Sequence, residues 1–68
     1  MKINEVIKEI RTALGLSQVA FAEKLHVSFS TVNRWENGRA VPNRLATITI
    51  ISLAKENDVD KTLIDFLS

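Results

Sequence analysis

Several residue types that build common functional sites are absent or rare in this chain of 68 residues. It contains no cysteine, which excludes disulfides and thiolate metal sites, so packing alone must hold the fold together. The carboxylates do not combine with the single histidine, His26, at the spacing of metal ligands, which argues against a metal site or a histidine-based hydrolase. We therefore expect no catalytic residues, no metal and no cofactor, and hence no enzyme.

Long apolar runs and glycine-rich loops are also missing. The first ten residues, MKINEVIKEI, include four charged side chains, which neither a signal-peptide core nor a membrane span tolerates. No glycine-rich segment has the pattern of a phosphate-binding loop. The sequence therefore predicts neither a membrane partner nor a nucleotide site of that kind.

Positive charge is in slight excess, with nine Lys or Arg against eight Asp or Glu. The excess is uneven: residues 1–54 carry seven basic and four acidic side chains, whereas residues 55–68 carry two basic and four acidic ones. A net charge of +1 is too small for binding to a polyanion by phosphate neutralisation alone. If nucleic acid is the partner, specific geometry must contribute to binding.

Apolar spacing and capping signals predict five short helices in a single domain over residues 1–68. The first helix runs over about residues 4–14 and is stopped by Gly15. Ser17 can cap a second helix, and Ser28 a third one that ends at Asn37-Gly38. The inward side chains predicted for these helices are Ile3, Val6, Ile7, Ile10 and Ala13, then Phe21, Ala22 and Leu25, then Val32 and Trp35.

The second half of the chain predicts two further helices. Asn43, which follows a loop at Pro42, can cap the fourth helix, and Asp58 or Asp60 can cap the fifth. The run ATITIISLA has the β-branched residues of a strand, but no other segment can pair with it, which favours a helix. The predicted inward residues are Leu45, Ile48, Ile51 and then Ala54 or the stem of Lys55 in the fourth helix, and Leu63, Phe66 and Leu67 in the fifth.

The second and third helices have about two turns each and are joined by the segment LHVS. Helices this short are unstable alone, so we expect them to be stabilised by packing against each other at the turn that joins them. The small side chain of Ala22 stands where the two helices would approach closely. Residues 17–38 thus have the pattern of a helix-turn-helix, whose second helix projects into a DNA groove.

Three motifs extend this interpretation: Leu16-Ser17-Gln18, Phe21-Ala22 and Trp35-Glu36-Asn37-Gly38, with Pro42 downstream. In these motifs the chain resembles the lambda-type phage repressor and Cro (XRE-like) helix-turn-helix family. The resemblance implies a compact, all-α, five-helix fold and a DNA-binding protein of the cytoplasm, encoded by a bacterium or phage and associated with the nucleoid. The family often has glycine in the turn, where this chain has His26, a residue that tolerates a positive φ at some cost.

The predicted recognition helix, residues 29–37, carries candidate base-reading residues on faces that point away from its two inward side chains. Hydroxyls bond base edges or phosphates, a phenyl ring can contact the thymine methyl group, and arginine pairs with guanine through two hydrogen bonds. Alignment to the family places Phe29, Ser30 and Arg34 towards the bases; the alternative is an ordinary solvated face with Phe29 partly in the core. The full candidate set is Phe29, Ser30, Thr31, Asn33 and Arg34.

Candidate phosphate-binding residues flank the helix-turn-helix. The free backbone N–H groups after Ser17 and the side chain of Gln18 can meet a phosphate, although simple capping is an alternative role. The resemblance implies backbone contacts around the end of the recognition helix and the loop after it, where ordinary solvated side chains are the alternative. The candidates are Ser17, Gln18, Asn37, Arg39 and Arg44.

The resemblance also suggests that Arg11 and Glu36, which lie on different helices, form an ion pair at the edge of the core. Such a pair is structural, because removal of one partner leaves a partly buried charge. Loss of DNA binding after a substitution there would therefore not demonstrate a DNA contact.

Together these features predict a sequence-specific regulator of transcription that binds double-stranded DNA with the recognition helix in the major groove. Because one helix-turn-helix covers few base pairs, we expect a homodimer on two half-sites, formed in solution or only on DNA. Ile50, Leu53 and the apolar residues of the last helix are its candidate interface. The alternative is an antitoxin-like or accessory module that binds a protein partner, with DNA binding secondary.

Overall fold

The computed structural model describes residues 1–68 and contains five helices and no strand. The helices are α1 (Ile3–Ala13), α2 (Gln18–Leu25), α3 (Phe29–Glu36), α4 (Arg44–Glu56) and α5 (Lys61–Leu67). This architecture confirms the predicted all-α fold. None of the five helices combines the length and hydrophobicity needed to cross a bilayer.

Side-chain caps define where four of the helices begin. The capping side chain accepts a hydrogen bond of 2.9–3.1 Å from a backbone N–H two or three residues later. Each bond satisfies one of the N–H groups that the first turn leaves without a partner. The predicted caps Ser17, Ser28 and Asn43 are confirmed, and Asp60 rather than Asp58 caps α5.

A left-handed residue turns the chain from α2 into α3. His26 has φ 58° and ψ 41°, a conformation that is open to histidine but less favourable than for glycine. The N–H of Val27 then bonds the carbonyl of Ala22 at 3.0 Å, which closes the end of α2. The predicted positive φ in the turn is thus confirmed, and Gly38, with φ +74°, ends α3 in the same way.

Thirteen buried apolar residues form one core to which all five helices contribute. Helix α1 packs against α3 and α5, α4 packs against α2 and α5, and α2 packs against α3. The predicted inward position of Ala13 was wrong. Ala13 is exposed because α1 ends at this residue. The core residues are Val6, Ile7, Ile10, Phe21, Ala22, Leu25, Val32, Trp35, Ala46, Ile50, Ala54, Val59 and Ile64.

The buried face of α4 differs from the predicted stripe. Ala46, Ile50 and Ala54 pack inward at four-residue spacing, whereas Leu45 and Ile48 are 73% and 48% exposed. The prediction was therefore wrong for Leu45 and Ile48. The helix is apolar around most of its circumference, so spacing alone does not select one stripe, and the two small alanines let the neighbouring helices approach closely.

Helix α5 also buries a residue other than those predicted. Ile64 is buried and Phe66, which was predicted to face inward, is half exposed. Leu63 and Leu67 pack against the core and are partly buried. Ile50, expected at a dimer interface, is fully buried, and that expectation was wrong because a residue enclosed in the core cannot contact a second copy.

Candidate nucleic-acid interface

Two buried side chains anchor helix α3 in the core of the protein. Val32 is fully buried and Trp35 is 4% exposed, and they are three positions apart, so both lie on the same side of the helix. Helices α1 and α2 cover that side. The opposite side of α3 is free to face a partner.

Two of the five predicted base-reading residues, Ser30 and Arg34, lie four positions apart on that opposite side, and Phe29 lies at the start of the helix, three positions before Val32. Phe29, Ser30 and Arg34 are exposed, and the phenyl ring of Phe29 adds an apolar group to a polar surface. Thr31 and Asn33 are partly buried. The hydroxyl of Thr31 lies 2.8 Å from the hydroxyl of Ser28, within the cap of the helix.

A bidentate ion pair ties the end of α3 to α1. Nε and Nη2 of Arg11 donate to the two carboxylate oxygens of Glu36 at 2.6 and 3.0 Å. Nη1 of Arg11 also donates to the carbonyl of Leu16, at 2.8 Å. The side chains of Arg11 and Glu36 are only 15% and 4% exposed. The predicted pairing is therefore confirmed, and its geometry is that of a strong charge-assisted contact.

The surroundings of Glu36 change its pKa in two opposite directions. Burial raises the pKa, but hydrogen bonds from Arg11 and Gln18, together with the positive charges of Arg11 and Lys8, outweigh burial and leave the pKa below its ordinary value. The same hydrogen bond raises the pKa of Arg11. Both groups are therefore charged at neutral pH.

Three side-chain amides form a row of hydrogen bonds that ends at the carboxylate of Glu36. We name this row the amide chain; it consists of Glu36, Gln18, Asn33 and Asn37. Nε2 of Gln18 donates to Glu36 at 3.0 Å. Nδ2 of Asn33 donates to Oε1 of Gln18 at 3.2 Å, and Nδ2 of Asn37 donates to Oδ1 of Asn33 at 2.9 Å. Asn37 is exposed at the outer end. Sequence reasoning missed this chain, for which the four-residue spacing of Asn33 and Asn37 was the only local signal.

The candidate phosphate-binding residues surround the helix-turn-helix. Ser17, Asn37, Arg39 and Arg44 are exposed, whereas Gln18 is partly buried within the amide chain. The only ion pair in the structure joins Arg11 and Glu36. Arg39 and Arg44 therefore have no acidic partner within the chain. No group of three or more His, Asp or Glu side chains comes together as a metal site would require.

Comparison with protein families agrees with this geometry. A family described as "Helix-turn-helix" matches residues 7–63, which is most of the chain. The chain belongs to this helix-turn-helix family. The match covers the whole helix-turn-helix unit and extends into α1, α4 and α5, so the family resemblance of the motifs is confirmed.

Two curated proteins are similar to this chain over much of its length. The HTH-type transcriptional activator BcrR of Enterococcus faecalis is 40% identical over 43 residues, which are 63% of this chain and 21% of that protein. Antitoxin HigA-2 of Vibrio cholerae serotype O1 is 39% identical over 51 residues, which are 75% of this chain and 48% of that protein. The chain thus spans about a fifth and about half of the lengths of these relatives. No solved structure matches significantly.

Proposed function

We propose that this helix-turn-helix domain binds double-stranded DNA sequence-specifically in the cytoplasm, with α3 in the major groove, and regulates transcription without catalysis. The observation that supports this most directly is the exposure of Phe29, Ser30 and Arg34 on α3, where Ser30 and Arg34 lie opposite the buried anchors of the helix. An α-helix with its side chains is about 10–12 Å in diameter and fits the major groove, which is about 12 Å wide. The names of the two relatives, an activator and an antitoxin, are compatible with such a role.

The exposed residues of α3 suit different base edges. The guanidinium of Arg34 is unpaired within the domain and can form two hydrogen bonds with O6 and N7 of guanine. The hydroxyl of Ser30 can donate or accept, and the ring of Phe29, which is 48% exposed, can contact a thymine methyl group. We assign these three residues to base recognition, while a base contact by Thr31 stays a prediction.

Exposed donors near both ends of the helix-turn-helix suit the DNA backbone. Arg39 and Arg44 are free cations in and just after the loop that follows α3. The amide of Asn37 and the N–H groups after Ser17 offer further donors, and α2 presents the positive end of its dipole at Ser17. We infer that these groups fix the position of α3 on the duplex.

Selection of bound sequences from a random duplex pool at near-physiological salt tests this proposal. A folded domain that enriches no sequence would contradict it. On the enriched duplex, Arg34→Ala should lose about 1–3 kcal/mol and relax the preference at one base pair. Arg39→Ala should weaken binding to all duplexes and lower the salt slope by about one. Lys55→Ala, which removes the same charge from the far end of α4, is the matched control and should change neither property.

We further propose that two copies assemble on DNA through an exposed apolar patch, here named the α4 patch, which consists of Val41, Leu45 and Ile48. These side chains are 65%, 73% and 48% exposed. Leu45 and Ile48 are one helical turn apart, and Val41 and Leu45 line the same groove. The α4 patch borders Arg39 and Arg44 in the sequence, which favours a contact between copies close to the DNA.

The dimensions of the domain favour a dimer that forms only on DNA. Half-sites on one side of a duplex are about 34 Å apart, whereas the domain measures at most 27 Å across. The backbones of two bound copies therefore stay about 7 Å apart even along their longest axis, so any contact is limited to side chains at the edges of the domains. Three side chains also offer much less than the roughly 800 Å² per partner of a stable interface.

The double variant Leu45→Ser/Ile48→Ser tests the α4 patch. It should lose about tenfold of the affinity for a duplex with two half-sites, because apolar burial between the copies is lost, and keep the affinity for one half-site. Phe66→Ser removes a half-exposed apolar side chain from α5, which the sequence predicted as the alternative interface, and should leave both affinities unchanged if the α4 patch is the contact. Equal cooperativity in the wild type and the double variant would place the contact elsewhere.

A groove beside the recognition helix favours a second candidate function, that of an antitoxin-like module that binds a protein partner. The groove has a volume of about 460 Å³ and is lined by residues of the α2–α3 turn, α3 and the start of α4, among them Val27, Trp35 and Leu45. The similarity to an antitoxin supports this candidate. A pure protein-binding module would enrich no duplex and would be insensitive to Arg34→Ala.

A further inference from the structure

The hydrogen-bonding capacity of a carboxylate determines the direction of the whole amide chain. The ionised carboxylate of Glu36 can only accept, so Gln18 must turn its NH₂ group towards Glu36 and its oxygen away. That oxygen also only accepts, so Asn33 must present its NH₂ group to Gln18. The oxygen of Asn33 is then left to accept from Asn37. All three amides therefore donate towards the buried charge.

This direction restricts what Asn33 can do at a DNA surface. Asparagine reads adenine with both ends of its amide at once: the oxygen accepts from N6, and the NH₂ group donates to N7. In this domain the oxygen of Asn33 already accepts from Asn37, and its NH₂ group already donates to Gln18. A bidentate pair with adenine would have to use the second N–H and the second lone pair of a partly buried amide whose orientation those two bonds already fix.

The amide chain also links three parts of the domain. Glu36 is held by Arg11 of α1, Gln18 begins α2, and Asn33 and Asn37 lie in the last turn and at the end of α3. Hydrogen bonds aligned in one direction polarise and strengthen one another. The chain therefore connects the end of α3 to the start of α2 and to α1, in addition to the apolar packing between these helices.

We propose that Gln18 and Asn33 are positioning residues, which hold the recognition helix at its working angle through the amide chain, and that Asn33 does not read a base. The inference rests on the proposed function, because it assigns the base recognition of α3 to the other outward side chains. It replaces the expectation that Asn33 is a base-reading residue with a role that acts through Gln18 and Glu36.

Side-chain NMR signals of the free domain test the amide chain without DNA. In Gln18→Ala, the NH₂ signals of Asn33 and Asn37 should both shift, because Asn33 loses its acceptor. The NH₂ signal of Asn57, which donates to the carbonyl of Leu53, is the internal control and should stay in place. Unchanged Asn33 signals in the folded variant would overturn the proposal.

Binding to the selected duplex and to its single-base variants tests the positioning role. Each of Gln18→Ala and Asn33→Ala removes two hydrogen bonds of the amide chain. Each should weaken binding about 3- to 10-fold, within the net contribution of one or two hydrogen bonds, by the same factor on every duplex. The variant with both substitutions should bind no more weakly than the weaker single variant, because both interrupt one chain. Arg34→Ala is the positive control for a changed base preference.

The outcomes separate this inference from the function on which it rests. A relaxed preference at one base pair in Asn33→Ala, with the preference kept in Gln18→Ala, would show that Asn33 reads a base and would overturn the inference alone. A wild-type domain that binds all duplexes equally would overturn the proposed function and with it the positioning role. The NMR comparison decides in either case whether the amide chain exists.

Discussion

Removal of the charge of Arg11 provides the sharpest test of how this small domain is held together. In Arg11→Met the apolar stem is retained, but Glu36 loses both bonds of the bidentate pair while its side chain is only 4% exposed. Breaking a buried pair by removing one partner costs about 3–5 kcal/mol. Because the side chain of Arg11 is 15% exposed, we expect a loss near the lower end, about 3 kcal/mol.

This loss is large for a domain of this size. At roughly 0.05–0.15 kcal/mol per residue, the total free energy of unfolding is about 3–10 kcal/mol. The variant should therefore unfold at a much lower urea concentration than the wild type. The fluorescence of Trp35, the only tryptophan and 4% exposed, reports the unfolding of the core directly.

A second substitution distinguishes the penalty of an unpaired charge from simple loss of a contact. Glu36→Gln removes the charge and keeps an oxygen that can accept from Gln18. Arg11→Met/Glu36→Gln should therefore be more stable than Arg11→Met and recover about half of the lost stability. A double variant as unstable as the sum of the two single losses would refute this reasoning.

The pH dependence of the same comparison follows from the pKa of Glu36. In the wild type this pKa is lowered, so the stabilisation is fully present above the unfolded value of about 4.3 and is lost as the pH falls through the lower folded value. In Arg11→Met burial is no longer outweighed by the arginine, and protonation relieves the buried charge. The stability difference between the two proteins should shrink from pH 7 to pH 3, and an unchanged difference would contradict this account.

Three further substitutions test local features of the fold by urea unfolding. His26→Gly should stabilise the domain by about 0.5–1 kcal/mol, because glycine adopts the left-handed conformation without a β-carbon penalty, and a loss would show that the imidazole contributes more than the strain it carries. Asn43→Ala removes the cap bond to the N–H of Ala46 and should cost about 1 kcal/mol, whereas no effect would mean that water replaces the cap. Gly38→Ala should cost about 1 kcal/mol through its positive φ alone, since an added Cβ would meet only side-chain atoms at 3.9 Å, and a neutral result would contradict this reason.

Features that depend on residues close in sequence were predictable without the structure. Ser17, Ser28 and Asn43 each cap a helix through a bond to an N–H three residues later, and Gly15 and Gly38 supply the positive φ at helix ends. The chemistry of such signals is complete within one turn of the chain. The five helices and the helix-turn-helix could therefore be predicted from the sequence.

The choice of buried face in α4 required the neighbouring helices. The run from Ala46 to Ala54 is apolar around most of the helix, so a stripe through Leu45 and Ile48 satisfies helical spacing as well as the observed one through Ile50. Only the close packing of α2 and α5 selects the side with the small alanines. Leu45 and Ile48, which do not face the core, form part of the α4 patch.

The sequence by itself determined where the helices begin and end, which side of α3 is anchored by Val32 and Trp35, and the family to which the chain belongs. Only the tertiary structure decided that Gln18 and Asn33 face each other and that their amides point towards one carboxylate. Gln18 lies 15 residues from Asn33 and 18 residues from Glu36. An amide that can both donate and accept has no preferred direction until such a distant charge is brought beside it.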